Sequence, residues 1–140
     1  MLKLREALFE AFITLCIGGL IGAALAVVSN LFVMGVEHLG AQREASTLLT
    51  FDVGGEALSF SSLLFLWAAA AAVLLIKSSM GVTRWAGPAD SIFAAHQRYQ
   101  PLDIKQGFAS TTAAFVSASG GASVGQYGPI VHFGATIGVW

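Results

Sequence analysis

Charge is what this sequence has least of. Its 140 residues include only 7 Lys plus Arg and 8 Asp plus Glu, for a formal net charge of −1, so no basic surface exists to hold a phosphate backbone and nucleic-acid binding is excluded. With 11% charged and 56% hydrophobic residues, the chain is too apolar for the mixed surface of a water-soluble domain and belongs in a bilayer. Cysteine is almost absent as well. Cys16 stands alone inside an apolar run, which excludes an internal disulfide and leaves it a packing residue. His38, His96 and His132 share no metal-ligand spacing, so they read as polar interfacial residues and no metal or cofactor is expected.

What is abundant is long apolar sequence. From Ala11 to Met34 only Ser29 and Asn30 are more polar than Thr, and about 20 such residues cross the hydrocarbon layer as a helix. Lys3 and Arg5 precede this run in the manner of a signal peptide, but the run is too long for a cleaved leader and is retained as the first span. Gly18 and Gly22 form a GxxxG pair, a spacing that admits a second helix backbone closely. A second span is predicted over Phe60 to Ile76. Between them, Glu37 to Ser59 carries Arg43 against Glu37, Glu44, Asp52 and Glu56, with Gly54-Gly55 as punctuation, and is expected to be a solvent-facing loop with short helical turns at most. Because Lys3, Arg5, Lys77 and Arg84 flank the two spans on one side, that side and the amino terminus are assigned to the cytoplasm.

Beyond Arg84 the spans give way to broken pieces. Gly87-Pro88 opens a segment, Ala89 to Arg98, that is too short and polar to cross and reads as re-entrant or interfacial. Asp103 precedes a run of small residues, Gly107 to Ser119, suited to protein neighbours more than to lipid. That run breaks at Gly120-Gly121, and another apolar segment is expected from about Pro129 to Trp140. Broken helices at membrane depth are tolerated only where their backbone is buried or lines a polar cavity. At such a break, unpaired amides at a helix start carry partial positive charge toward an anion.

The stretch Ser119-Gly120-Gly121-Ala122-Ser123-Val124-Gly125-Gln126-Tyr127-Gly128-Pro129, continued by Ile130-Val131-His132-Phe133-Gly134-Ala135-Thr136-Ile137-Gly138, resembles the chloride channel and chloride/proton exchanger (CLC) family around its Gly-Arg/Lys-Glu-Gly-Pro motif. Gly125, Gly128, Pro129, Gly134 and Gly138 stand in register with it. The upstream Gly87-Pro88-Ala89-Asp90-Ser91-Ile92 lies where that family keeps a Gly-Ser-Gly-Ile-Pro loop, with Gly87 or Pro88 at the serine position and neither bearing a hydroxyl. The resemblance implies an all-α fold of integral membrane helices, some broken or re-entrant, forming the first part of an inverted-repeat transport domain over residues 1–140. It also implies chloride or another small anion as the transported ligand, a bilayer environment at the plasma or inner membrane, and a homodimeric full-length protein. The anion-binding positions it implies are Gly125, Gln126, Tyr127, Gly128 and Pro129, with Gly87, Pro88 and Ala89 from the upstream loop.

Two departures from the family pattern matter. Its Arg or Lys is Gln126 here, and its gating glutamate is Tyr127. That glutamate competes with chloride for the outer site and carries protons in exchangers, whereas a phenol keeps its proton across the working range. Tyr127 can donate a hydrogen bond or obstruct the path with its ring. The expectation is channel-type anion passage without obligatory proton coupling. Asp90, set in a first helical turn, is expected to compete with an anion at the upstream loop.

Three other readings compete with this one. Gly121-Ala122-Ser123-Val124-Gly125 spells the G-x-S-x-G of a nucleophile elbow with His132 nearby, but an elbow joins a strand to a helix in a soluble sheet, so an intramembrane serine hydrolase is a remote alternative and the chain is not expected to be an enzyme. Gly120 to Gly125 fits the front of a P-loop, yet Gln126-Tyr127 replaces the Lys and hydroxyl that reach phosphate and magnesium. A truncated, non-conducting or regulatory membrane product is the alternative of a different class.

Overall fold

In the computed structural model, residues 2–96, 102–125 and 127–138 are described. The chain forms α1 (Leu2–Ala45), β1 (Thr50–Val53), β2 (Glu56–Ser59), α2 (Ser61–Met80), α3 (Pro88–His96), α4 (Ile104–Ser119) and α5 (Tyr127–Gly138). It divides into two units, residues 1–31 and 32–140.

The first unit is the leading part of α1. Leu8, Phe9, Phe12, Ile13, Leu15, Ile17 and Leu20 are all exposed; at 100° per residue they cover more than half of the helix, and the remaining arc carries Ala11, Thr14, Gly18 and Gly22, which are small and uncharged. An all-round apolar helix is built for a lipid environment and not for the edge of a soluble core. Gly18 and Gly22 have nothing within 4 Å of where a Cβ would stand among the described residues.

The predicted loop from Glu37 is corrected by the structure. The helix runs on to Ala45, and the rest closes into an antiparallel hairpin pairing Thr50 with Ser59 and Val53 with Glu56. Gly54 and Gly55 both take positive φ, 67° and 89°, the backbone that a two-residue hairpin turn demands and that glycine adopts freely. The charges of Glu37 to Ala45 do not end the helix, because Glu, Gln, Arg and Ala are good helix formers. Ser61, 1% exposed, brings its hydroxyl within reach of the Ser46 and Leu48 carbonyls and so pins the hairpin's base to α2.

Among the described residues, two helices are long and apolar enough to cross a membrane, Arg5–Ala45 and Ser61–Met80, with mean hydropathies of 2.4 and 1.9 over an 18-residue window of each. The second ends at Gly81, whose φ of 60° lets its amide and that of Val82 close the last carbonyls. Asp103 caps α4 by accepting from the Lys105 amide at 2.9 Å.

The centre of the second unit is α4. Gly107, Ala109, Ser110 and Ala113 are buried, so its small residues are spent on close packing. A Cβ on Gly107 would lie 2.6 Å from Thr136 Oγ1, and one on Gly120 would overlap the Ala69 methyl. The two glycines thus set the distance from α4 to α5 on one side and to α2 on the other. Phe115 stacks edge-on against Phe32 at 5.2 Å between ring centres.

Candidate functional site: two helix starts brought together

The helices α3 and α5 are adjacent at their amino-terminal ends. A Cβ on Gly128 would stand 3.4 Å from Pro88 Cγ, so the two glycine-proline segments, 41 positions apart in sequence, meet in space.

Three hydrogen bonds hold this arrangement. The Ser91 hydroxyl and His132 Nδ1 are 2.7 Å apart, joining α3 to α5. Thr111 on α4 places its hydroxyl 3.3 Å from the Pro129 carbonyl, and the Ala86 amide donates to Ser110 Oγ at 2.9 Å. His132 and Thr136 are each 1% exposed, and the Thr136 hydroxyl donates to the His132 carbonyl at 2.8 Å. His132 Nε2 is buried without a partner among the described residues.

The two helix starts differ in charge. At α3, Asp90 turns its carboxylate back to accept from the Gly87 amide at 2.8 Å and pairs with Arg84, the returning half of a capping box. The Gly87 amide and, secondarily, the Arg84 guanidinium hold the Asp90 carboxyl below its ordinary range. Gly87 therefore has its N–H engaged within the chain, Pro88 has none to offer, and Ala89 is exposed in the first turn. At α5 there is no acidic residue in the first turn. Tyr127 is the first helical residue, two positions earlier than the start expected at Pro129, and is 78% exposed. Pro129 tolerates that placement because first-turn amides have no intrahelical acceptor. Gly128 and Pro129 are half-buried and Gly125 is exposed in the extended link from α4. Gln126 lies outside the described residues.

A family model described as "Voltage gated chloride channel" matches residues 68–140. The chain belongs to this family. No curated protein and no solved structure matches the chain. The matched region takes in the end of α2 and all of α3, α4 and α5, so both glycine-proline segments fall inside it. Voltage-gated chloride channel relatives are integral membrane proteins that move chloride and are not enzymes.

Ser123 follows a helix and not a strand, and His132, which the hydrolase reading needs as its base, is bonded to Ser91 instead. His38 pairs with Gln42 at 2.9 Å and His96 with the Ile92 carbonyl at 2.8 Å, so the histidines go to three separate places. What sequence reading missed was the pair Ser91 and His132. A histidine in an otherwise apolar segment was the available signal, but nothing in one dimension indicates a partner 41 positions away.

Proposed function

We propose that this chain passes a small anion, chloride in the first instance, along the joint between the starts of α3 and α5, as a channel-type pathway without obligatory proton coupling. The observation that carries the reading is the 3.4 Å approach between Pro88 and the Cβ position of Gly128, which puts two helix starts at one place. Helix starts offer backbone N–H groups and the positive end of the dipole. Such partial charges replace some of an anion's hydration without holding it as tightly as a full cation would.

Gly125, Gln126, Tyr127, Gly128 and Pro129 form the main arm of the proposed site, because the α5 start has no acid to fill it. Gly87, Pro88 and Ala89 form the lesser arm, where Asp90 already occupies the Gly87 amide. Tyr127 stands at the gating position, and without a carboxylate there the proton-carrying step of an exchanger has no acceptor. The amino terminus and Lys77 face the cytoplasm by the distribution of Lys and Arg, and the working protein is a homodimer.

Reconstitution of the chain into vesicles tests this. Chloride efflux should run under a chloride gradient, and an imposed pH gradient alone should drive no uptake. Uptake accompanied by opposed proton flux would overturn the absence of coupling. A chain silent in both assays that gains flux in Tyr127→Glu would identify the tyrosine as a plug.

A further inference from the structure

A second anion-seeking feature lies away from that joint, where the carboxy-terminal end of α1 meets the start of α2. The Arg43 side chain is only 18% exposed and its sole ion pair among the described residues is a long one, 3.4 Å to Glu44, whose own side chain is 75% exposed. Its Nε is buried with no hydrogen-bond partner among the described residues. Arg43 lies in the last turn of α1, whose carbonyl end offsets part of its charge; what remains uncompensated on the largely buried guanidinium favours an incoming anion.

The surroundings define what kind of anion. Arg43 lines a cavity of about 340 Å³ together with Ser62, Leu63, Leu66, Gly120 and Gly121. Gly121 has φ 99°, and a Cβ there would overlap Arg43 Nη1, so the glycine keeps the space that the guanidinium fills. Ser62 and Leu63 belong to the first turn of α2, whose dipole adds positive character. Leu63 and Leu66 are exposed on the same helix, giving the cavity one apolar wall where a membrane-crossing helix leaves the hydrocarbon layer. Its volume is several times what a single halide ion fills. A planar guanidinium matches tetrahedral oxyanions through paired N–H groups.

We propose that Arg43, with the start of α2 and the Gly120-Gly121 turn, forms a binding site for a phosphate oxyanion, supplied by a phospholipid headgroup whose chains lie along Leu63 and Leu66 or by free phosphate. The site is separate from the α3–α5 joint and stands whether or not that joint conducts.

The test uses the intact chain, as wild type, Arg43→Gln and Arg43→Lys, in nanodiscs of phosphatidylcholine alone or mixed with phosphatidylglycerol. Native mass spectrometry after release reads retained lipid, and thermal unfolding in detergent with inorganic phosphate reads the free ion. Retention of phosphatidylglycerol should fall at least about tenfold in Arg43→Gln, the effect of losing one charge-assisted hydrogen bond, and only partly in Arg43→Lys. Stabilisation by inorganic phosphate that Arg43→Gln abolishes would assign the site to the free ion. Equal lipid retention in all three chains together with no phosphate effect would overturn the proposal. Should Arg43→Gln not fold, wild type decides alone: it must retain phosphatidylglycerol or be stabilised by phosphate, and failure in both arms overturns the site.

Discussion

Ser91 and His132 are joined across two helices by a hydrogen bond of 2.7 Å, and the imidazole is almost completely enclosed. Ser91 sits one turn into α3 and His132 one turn into α5, so this bond fixes how far apart the two helix starts stand. Ser91→Ala leaves Nδ1 without its partner inside the protein. Losing a bond while burying the remaining group costs about 1–3 kcal/mol. Chemical unfolding in micelles should show that loss, and vesicle flux should fall with it. Unchanged stability in Ser91→Ala would mean the bond does not clamp the joint.

Glycine at position 107 is required by the close approach to Thr136. A methyl at 107 would sit 2.6 Å from Thr136 Oγ1 and 3.0 Å from its Cγ2, and overpacking of this kind costs about 1–3 kcal/mol. Gly107→Ala should therefore destabilise, and adding Thr136→Ala should recover part of the loss by opening the space. The pair should be non-additive by at least about 0.5 kcal/mol in a double-mutant cycle. Simple additivity would place the strain elsewhere.

Asp90 gives the structure a defined acid sensitivity. Its carboxyl is held down by the Gly87 amide first and by Arg84 second. A carboxyl with a folded-state pKa below its unfolded value stabilises the fold fully above the unfolded value, about 3.9, and loses that contribution as pH falls through the folded value. Wild type should lose stability over this acid range. Asp90→Asn should be less stable than wild type at neutral pH and should lack that part of the acid dependence, as read by unfolding midpoints across pH. A parallel acid loss in both chains would assign the sensitivity to other carboxyls.

The helices were legible where one periodic or punctuating signal was enough. Pro88 opens α3, Asp103 caps α4 and Gly120-Gly121 ends it, each from local chemistry alone. The hairpin was not, although Gly54-Gly55 marks a turn, because four-residue strands flanking a turn gain their identity from pairing with each other. Continuation of α1 through Glu37 and Glu44 was missed for a related reason: charge marks the end of a membrane span but not the end of a helix. At the site, the glycine-proline segments could be read one at a time. Their meeting through Pro88 and Gly128, like the packing of α4 against α5 at Gly107, is a contact that no spacing encodes.

Tyr127 separates two physical roles that the sequence alone leaves together. It begins α5 and is 78% exposed, so its ring is not held against neighbouring helices among the described residues. A ring free to swing obstructs poorly, while its hydroxyl remains able to donate toward an anion at the helix start. Tyr127→Phe removes the donor and keeps the ring. A hydrogen bond donated to an anion is charge-assisted and worth about 1.5–3 kcal/mol, so chloride flux in vesicles should drop at least about tenfold. Tyr127→Ala should drop by the same amount and no further. If Tyr127→Ala instead raises flux while Tyr127→Phe leaves it unchanged, the ring is the obstacle and the hydroxyl has no part in passing the ion.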